Sequence, residues 1–171
     1  MKNKTVLITG ASAGIGLHSA IGLAKLGAEV VMVGRDERRT AEAASLVKAQ
    51  TGNQAISYLI ADLSSQKEVR KLASEFKNKY KKLDVLLNNA GAIFLRRKVS
   101  VDGYEMTLAL NHLNYFLLTD LLLDMLKARP AARIVNVSSN AHYRGHVNFD
   151  DLQCERYNGM RRYSESKLMN V

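Results

Sequence analysis

Short apolar runs alternate with longer stretches of helical spacing along the whole chain. The apolar runs are nearly continuous and rich in β-branched residues, as is typical of strands buried on both faces. The predicted strands are Thr5 to Thr9, Glu29 to Val33, Ala55 to Ile60, Val85 to Asn88 and Arg133 to Val137. The predicted helices are Gly14 to Leu26, Glu37 to Gln50, Gln66 to Tyr80, Gly103 to Lys127 and one that begins near Tyr163. Strand and helix therefore alternate from the first run to the last.

This alternation predicts an α/β fold with a doubly wound parallel sheet. Parallel strands are joined by right-handed crossovers, so the intervening helices cover both faces of the sheet. Gly27 and Gly52 follow the first two helices, where a C-cap glycine belongs, and they support these boundaries. No linker or internal repeat interrupts the pattern, so we expect a single domain over residues 1–171.

The longest predicted helix, Gly103 to Lys127, is apolar on more than one side. One stripe has the spacing of three and four residues that is typical of a core face, and it consists of Leu110, Leu113, Leu117, Leu121 and Met125. The opposite side carries Phe116, Leu118 and Leu122. A helix that is apolar nearly all round is deeply buried or shared with another subunit. We therefore expect a homodimer or homotetramer that is joined at this helix.

The composition is that of an ordinary globular protein with a basic surface. Of the 171 residues 47% are hydrophobic, and Lys and Arg exceed Asp and Glu by 25 − 16 = 9. The basic residues are spread along the chain without interleaved aromatic residues, so we expect no nucleic-acid partner. No apolar run approaches the ~20 residues of a membrane span or forms a secretory leader. The lone Cys154 excludes an internal disulfide, and we expect a cytoplasmic location.

A glycine-rich turn follows the first predicted strand and runs directly into the first helix. It reads Thr9-Gly10-Ala11-Ser12-Ala13-Gly14-Ile15-Gly16. Glycines allow the backbone to approach a pyrophosphate closely, and the helix N-terminus offers unpaired N–H groups and a partial positive charge. The spacing Gly-x-x-x-Gly-x-Gly resembles that of the short-chain dehydrogenase/reductase family. The resemblance implies a nicotinamide dinucleotide bound by Gly10, Ser12, Ala13, Gly14, Ile15 and Gly16. A purely structural turn is the alternative.

The residue after the second strand indicates which coenzyme is bound. An acidic side chain there bonds the ribose 2′-hydroxyl of NAD and repels the 2′-phosphate of NADP. This chain has Gly34 where NAD-preferring members of the family carry the acid, and Arg35 follows as a planar cation that suits a phosphate. The sequence therefore predicts NADP as the cofactor. The alternative is that Arg35 is only solvated and that Asp36 caps the next helix.

Polar residues also follow the third and fourth strands, at the carboxyl edge where ligands bind in α/β folds. The strings are Ala61-Asp62-Leu63 and Asn88-Asn89-Ala90-Gly91. The resemblance implies that the adenine is contacted by Asp62 and Leu63. It also implies that the adenosine ribose is lined by Asn89, Ala90 and Gly91. Two adjacent buried amides need partners, so they either bond neighbouring strands or face the cofactor. A turn or cap is the alternative for Asp62.

Tyr163 and Lys167 place a phenol and an ammonium four residues apart, on one face of a helix. Reduction of a carbonyl needs a proton donor, and a free phenol is a poor base for the reverse reaction at neutral pH. A positive charge ~4 Å away at an effective dielectric of ~20 stabilises the phenolate by ~4 kcal/mol. In the family that the chain resembles, the tyrosine exchanges the proton and the lysine also bonds the nicotinamide ribose. We therefore expect Tyr163 and Lys167 to act in catalysis and in coenzyme binding.

Two further residues complete the catalytic set that the resemblance implies, which is Asn111, Ser139, Tyr163 and Lys167. Of the two serines after the fifth strand, Ser139 matches the position that holds the substrate oxygen, and Ser138 is expected to bond the backbone. Asn111, a poor helix former inside the long helix, matches the residue that anchors a water in the proton path to the lysine. An ordinary polar position is the alternative for Asn111.

His142 and His146 lie four positions apart, near Cys154 in the sequence. Zinc sites usually have four ligands, and neither a fourth ligand nor a carboxylate stands at ligand spacing here. We therefore expect no metal, and we assign these residues to a loop at the mouth of the substrate site.

Several segments resemble the retinol dehydrogenase branch of the family. They are Asp102 to Glu105, Phe116 to Thr119 and the insert Phe149 to Tyr157, which lies within the 24 positions that separate Ser139 from Tyr163. The resemblance implies a Rossmann fold of strand order 3-2-1-4-5 and hydride transfer between NADP(H) and a lipophilic carbonyl or alcohol substrate. Asn114 and Tyr115 stand where relatives usually carry Gly and His.

Members of the family continue with further strands and a substrate-covering loop, whereas this sequence ends at Val171. We therefore expect an enzyme that is incomplete at its C-terminus. One alternative is a shortened nucleotide-binding module with little or no catalysis. A third hypothesis, an epimerase or dehydratase of nucleotide sugars, also uses Tyr-x-x-x-Lys but has a different glycine spacing.

Overall fold

The computed structural model describes all 171 residues and contains one five-stranded parallel sheet with helices between its strands. The strands are β1 (Thr5–Thr9), β2 (Glu29–Gly34), β3 (Ile56–Ile60), β4 (Val85–Asn88) and β5 (Arg133–Asn136). The helices are α1 (Gly14–Lys25), α2 (Glu37–Thr51), α3 (Gln66–Lys79), α4 (Met106–Leu108), α5 (Asn114–Lys127) and α6 (Gly159–Leu168). The spatial order β3-β2-β1-β4-β5 confirms the predicted topology.

Successive residues of the central strands point into two separate cores, one on each side of the sheet. In β1, Leu7 belongs to the core beneath α3 and α5, whereas Val6 and Ile8 belong to the core beneath α1 and α2. All three side chains are fully buried. Burial of an apolar side chain of this size stabilises a fold by about 1.5–3 kcal/mol. This two-sided packing is the reason that the strands have continuous apolar sequences, and it holds their carboxyl ends at one edge.

The long helix starts three residues later than predicted and is not a regular α-helix throughout. Gly103 has a φ of +83°, a left-handed conformation that does not continue into a right-handed helix. The buried Glu105 carboxylate caps α4 instead, because it accepts hydrogen bonds from the N–H groups of Thr107 at 2.8 Å and Leu108 at 2.9 Å. A π-helical turn, Ala109–Leu113, then joins α4 to α5. The extra residue in such a turn rotates the helix face that follows it.

The face of α5 that packs in the core is not the predicted one. Leu118 and Leu122 are fully buried, and Leu126 joins them in the core. The residues of the predicted stripe pack only at the margin of that core, and they include Leu110, Leu117, Leu121 and Met125. The prediction was wrong by one position because it assumed regular spacing through the π turn. Phe116 is 70% exposed, so an apolar ring remains on the outer side.

Helix α6 begins at Gly159, four residues before the predicted start near Tyr163. The Asn158 side chain provides the cap, since its oxygen accepts a hydrogen bond from the N–H of Arg161 at 3.0 Å. Tyr163 and Lys167 therefore lie inside the helix rather than at its fraying first turn, and the helix backbone fixes their relative positions.

Strand β5 forms one edge of the sheet and is exposed along its whole length. Its apolar residues Ile134 and Val135 are 42% and 45% exposed. An open edge with apolar residues invites pairing with another segment. None of the helices combines the length and the apolar character that a membrane span requires.

Candidate active site

The N-terminus of α1 lies at the end of the glycine-rich turn and has no side-chain cap. Ala13 occupies the N-cap position, and the first turn contains no acidic residue. By contrast, the side chains of Asp36, Ser65 and Asn158 cap α2, α3 and α6. No capping side chain uses the first N–H groups of α1, and the helix end carries a partial positive charge. This end therefore suits an anion such as a pyrophosphate.

Two glycines keep the turn close to the segment that follows β4. Gly10 has a φ of +65°, and a Cβ there would lie 2.8 Å from the Cα of Ala90. A Cβ on the buried Gly16 would collide with the carbonyl oxygen of Gly10. The remaining predicted contacts of the turn are half-buried or exposed, and they are Ser12, Ala13, Gly14 and Ile15. The turn therefore presents its backbone, rather than bulky side chains, at the carboxyl edge of β1.

The adjacent amides after β4 hold this edge of the sheet together. The Asn89 side-chain amide donates to the carbonyl oxygens of Thr9 at 2.9 Å and Gly10 at 3.1 Å. The Asn88 amide donates to Asn136 Oδ1 at 3.0 Å and to the Thr119 hydroxyl at 3.1 Å. Of the two predicted possibilities, bonds to neighbouring strands are thus the one observed. The Asn89 side chain fixes the glycine turn, and the Ala90 N–H donates to the Thr9 hydroxyl at 3.1 Å. The ribose contact of Asn89, Ala90 and Gly91 stays a prediction.

The end of β2 offers a positive charge and no acidic side chain at the predicted coenzyme-selecting position. Gly34 is buried, and a Cβ there would collide with the Thr40 hydroxyl. Arg35 is exposed and forms no ion pair within the chain. Asp36 accepts a hydrogen bond from the N–H of Arg39 at 2.8 Å, which confirms that it caps α2. The guanidinium of Arg35 therefore remains available to an anionic ligand.

The segment after β3 forms a tight turn. Asp62 Oδ1 accepts hydrogen bonds from the Ser64 N–H at 2.9 Å and the Ser64 hydroxyl at 2.7 Å. The turn role predicted as the alternative for Asp62 is thus present. Leu63 is buried, so only its backbone could meet a ligand. The adenine contact of these two residues stays a prediction.

The structure brings Lys167 close to the Tyr163 ring on one face of α6. The lysine Nζ lies 5.7 Å from the centroid of that ring and donates a hydrogen bond to the Val137 carbonyl at 2.9 Å. Lys167 is 4% exposed and forms no ion pair. Burial lowers its pKa below the ordinary lysine value, because a low-dielectric surrounding disfavours the charged form. A buried ammonium without a carboxylate partner can bind a hydroxyl or an anionic ligand.

The two serines after β5 differ in their hydrogen bonds. The Ser138 hydroxyl donates to the Lys167 carbonyl at 2.7 Å, which confirms its predicted bond to the backbone. The Ser139 oxygen accepts from the Ala141 N–H at 3.2 Å, and the residue is only half-buried. Its hydroxyl proton has no acceptor within the chain, so Ser139 is the serine that could donate to a substrate oxygen.

Asn111 is fully buried in the π turn, and both polar atoms of its side chain are hydrogen-bonded. Its Oδ1 accepts from the Ala92 N–H at 2.9 Å, and its Nδ2 donates to the Ala92 carbonyl and the Ser166 hydroxyl at 3.0 Å each. Its own carbonyl accepts from the Asn170 amide at 2.8 Å. The side chain therefore ties α6 to the segment after β4, and the role of anchoring a water stays a prediction.

Sequence reasoning missed a buried ion-pair cluster at the start of α6, which we call the Arg162 cluster: Arg162, Glu105 and Glu165. Arg162 Nε donates to Glu105 Oε2 at 2.8 Å, and Nη1 donates to Glu165 Oε2 at 3.1 Å. Arg162 and Glu105 are almost completely buried. The cluster joins α6 to the cap of α4 directly beside Tyr163. Only Glu165 lies at a helical spacing from Arg162, so no local pattern indicates the contact between Arg162 and Glu105.

Of the loop residues considered as metal ligands, His146 and Cys154 line one pocket with Asp151 and Glu165, whereas His142 lies elsewhere. The His142 ring packs on Tyr143, and its Nδ1 lies 2.6 Å from the Ser139 carbonyl oxygen. No group of three or more His, Cys, Asp or Glu side chains is arranged to hold a metal ion. His142 therefore borders the Ser139 segment, and its place at the substrate mouth stays a prediction.

Comparisons with known proteins agree with this geometry. A family model described as short chain dehydrogenase matches residues 4–150. Human retinol dehydrogenase 13 is 41% identical over 170 residues, which cover 98% of this chain and 51% of the relative. A solved uncharacterized protein from Mycobacterium paratuberculosis is 38% identical with a TM-score of 0.84, over 99% of this chain and 59% of that chain. A short chain dehydrogenase from Shigella flexneri, complexed with NADP, is 26% identical with a TM-score of 0.77, over 99% of this chain and 68% of that chain. The chain thus spans about half the length of the curated relatives it matches.

Proposed function

Because the chain belongs to the short-chain dehydrogenase family, we propose that it forms the coenzyme-binding and catalytic part of an NADP-dependent oxidoreductase. The observation that carries the proposal is the unpaired cation of Lys167 beside the Tyr163 ring. The glycine cradle next to the uncapped end of α1 fits a pyrophosphate. The same sheet edge therefore offers a binding site and a proton-transferring pair.

Each residue of the site has a separate task in the proposed reaction. The coenzyme supplies or takes up the hydride. Tyr163 gives its hydroxyl proton to the substrate oxygen in reduction and takes it back in oxidation. Lys167 stabilises the phenolate by its charge, and it binds the nicotinamide ribose. The hydroxyl proton of Ser139 has no acceptor in the chain and is therefore available to a ligand. In the proposed reaction it is donated to the substrate oxygen.

The preference for NADP over NAD rests on the end of β2. Gly34 leaves no acid to repel a 2′-phosphate, and the exposed Arg35 offers a planar cation with several N–H donors. The Shigella flexneri relative, which was solved with NADP, supports this choice. The names of the curated relatives support a lipophilic alcohol or carbonyl, such as a retinoid, as the substrate.

The decisive experiment replaces Tyr163 with Phe in the natural protein that contains this chain. We expect turnover of NADPH with a panel of retinoid, steroid and short aliphatic carbonyls to fall by roughly 10²- to 10⁴-fold, since the proton donor is lost. Coenzyme affinity, measured by fluorescence titration, should stay within a factor of two or so. Substantial remaining turnover would contradict the role of Tyr163. Coenzyme binding without any turnover in the unchanged protein would support the alternative, a nucleotide-binding module.

The preference for NADP over NAD is tested with a variant of Arg35. Arg35→Ala should weaken NADPH binding roughly 10- to 100-fold and leave NADH binding unchanged, because a charge-assisted hydrogen bond to the 2′-phosphate is lost. Arg70→Ala, which removes an exposed arginine from α3, is the matched control. An unchanged protein that prefers NADH would contradict the assignment.

We also propose a cytoplasmic homodimer that is joined through the outer face of α5. The exposed ring of Phe116 on that face supports a subunit contact. Analytical ultracentrifugation checks it, and a folded monomer at micromolar concentration would contradict it. Phe116→Asp should dissociate a dimer that forms there.

A further inference from the structure

Many of the basic residues lie at the edge of the sheet where the strands begin, opposite the candidate active site. Parallel strands all start at one edge, and the helices between them run back and end there. Six basic residues lie just before a strand or at its first position: Lys2, Lys4, Lys81, Lys82, Arg129 and Arg133. Five more lie in the last turns of α1, α2, α3 and α5: Lys25, Lys48, Lys77, Lys79 and Lys127. We call these eleven residues the basal face.

Contacts within the chain bring the segments of the basal face together. Lys4 Nζ and Arg129 Nε both donate to Asp84 Oδ1 at 3.1 Å, so the segments before β1, β4 and β5 lie side by side. A Cβ on Gly27 would lie 3.1 Å from Lys2 Cγ, which places the end of α1 beside the same group. Distant parts of the chain therefore contribute their charges to one surface.

The basal face carries most of the excess positive charge of the protein. Four acidic residues lie at the same edge, and they are Glu29, Glu75, Asp84 and Asp124. The excess there is 11 − 4 = 7, whereas the rest of the chain has an excess of 14 − 12 = 2. Of the four acidic residues only Asp124 is exposed. The charge of this edge is therefore strongly positive towards the solvent.

This charge exceeds what the ends of the helices require. The C-terminus of a helix carries about −0.5 of an elementary charge, so four helix ends contribute roughly −2. The five lysines in the last turns already outweigh that charge. The cations that precede the strands have no such task, and among them only Lys4 and Arg129 form an ion pair, both with Asp84. Exposed cations therefore remain for an external anionic partner.

The composition of the basal face favours a lipid surface as this partner. Nine of its eleven residues are lysines, whereas recognition of single phosphates or carboxylates usually employs the planar fork of arginine. Leu26, which is 58% exposed, lies among these lysines, next to Lys25. No exposed aromatic ring lies at this edge for the stacking of nucleic-acid bases. Lysines around an apolar side chain are typical of proteins that attach to anionic lipids.

We propose that the basal face docks the protein on a membrane surface that contains anionic lipids. Each cation near such a surface adds to the attraction, which acts over about one Debye length, ~8 Å at physiological ionic strength. Leu26 inserts at the boundary between headgroups and acyl chains. Strands of about five residues separate the basal face from the carboxyl edge by roughly 17 Å. A docked protein therefore keeps its candidate coenzyme site open to the solution.

Co-sedimentation with lipid vesicles tests the docking and needs no turnover. The natural protein that contains this chain is mixed with vesicles of phosphatidylcholine, either alone or with roughly 30% phosphatidylserine. We expect binding to the anionic vesicles to be at least about tenfold stronger, and to be lost at ~1 M salt, where the Debye length falls to ~3 Å. Equal binding to neutral and anionic vesicles would overturn the proposal.

A triple variant assigns the binding to the basal face. Charge reversal at three of its exposed residues, Lys2→Glu, Lys81→Glu and Lys127→Glu, should weaken binding to the anionic vesicles by roughly 100-fold or more. Leu26→Ser should weaken it a few-fold, because the apolar contact with the lipid is lost.

The matched control makes the same change of charge at the opposite edge. It reverses three exposed residues in the first two turns of α3: Lys67→Glu, Arg70→Glu and Lys71→Glu. Binding to the anionic vesicles should fall by less than about threefold, since these residues lie beyond a Debye length from a docked membrane. Both variants should melt close to the unchanged protein, because all six residues are exposed.

Two further results would overturn the proposal. Equal losses in the two triple variants would mean that net charge, and not the basal face, governs the binding. Binding to RNA or to an acidic protein without any binding to vesicles would mean that the partner is a different polyanion.

Discussion

A cationic side chain is buried near each end of helix α6, and the two side chains have different kinds of hydrogen-bond partner. Arg162, near the start, donates to the carboxylates of Glu105 and Glu165 at 2.8 Å and 3.1 Å. Lys167, five positions later, has only the Val137 carbonyl at 2.9 Å. Both side chains are less than 5% exposed. One cation is paired with carboxylates, and the other has only a neutral carbonyl oxygen as its partner.

This difference separates a structural charge from a functional one. A buried ion pair with good geometry satisfies the charge of its partners, although its net contribution to stability is small. A buried cation without a carboxylate destabilises the fold, and burial lowers the pKa of Lys167 accordingly. Its unpaired charge is what a phenolate or a coenzyme ribose could use. The Arg162 cluster meanwhile holds the helix that carries Tyr163 and Lys167 against α4.

The largest expected effect comes from removing the paired cation. Arg162→Met should lower the free energy of unfolding by about 3–5 kcal/mol, because it leaves Glu105 and Glu165 buried without their counter-charge. Urea denaturation measures the change. Arg161→Met is the control, since Arg161 is 53% exposed and lies 3.4 Å from Glu165. Equal losses in the two variants would show that burial does not distinguish these arginines.

Removing the unpaired cation should have the opposite sign. Lys167→Met should raise the free energy of unfolding at neutral pH by about 2 kcal/mol, since a poorly compensated buried charge is removed. Turnover should be lost in the same variant. A loss of stability at neutral pH would mean that the Lys167 charge is compensated after all.

The gain from Lys167→Met should depend on pH. The pKa of Lys167 is lowered in the folded state, so the folded protein releases this proton before the unfolded chain does. The unchanged protein therefore becomes more stable as the pH rises from the folded pKa towards about 10.4, the value of an unfolded lysine. Within this window the advantage of the methionine variant should shrink. An advantage that grows with pH would contradict the lowered pKa.

The smallest change in the free energy of unfolding is expected when Glu165 of the Arg162 cluster loses its charge. Glu165→Gln should cost about 1 kcal/mol in unfolding free energy, because the amide can still accept a hydrogen bond from Arg162 and Glu105 still supplies a carboxylate. Glu42→Gln, at an exposed ion pair with Arg38, serves as the control and should leave stability nearly unchanged. A loss of unfolding free energy as large as that of Arg162→Met would contradict this, because it would mean that Glu105 alone does not compensate the charge of Arg162.

The parts of the site that follow from local spacing could be predicted. Gly10 and Gly16 lie where a Cβ would meet Ala90 or the turn itself, as a close backbone approach requires. The four-residue interval between Tyr163 and Lys167 places both on one face of α6. The strand order also followed from the family resemblance, and each strand boundary lies within one residue of its prediction.

Other features depended on residues that are far apart in the chain. The π turn moved the core face of α5 to Leu118 and Leu122, and the apolar pattern alone gives no sign of such a turn. Glu105 lies 57 positions before Arg162, so no spacing rule connects them. The missing partner of the Tyr115 hydroxyl is likewise a property of packing.

The sequence by itself determined the alternation of strand and helix, the glycine turn at the first helix and the phenol–ammonium interval, because these depend on backbone geometry over a few residues. Only the tertiary structure decided which buried cation of α6 is paired with carboxylates, which face of α5 packs in the core and which hydroxyl lacks a partner. Desolvation and hydrogen-bond satisfaction depend on all groups that surround an atom, and most of those come from distant parts of the chain.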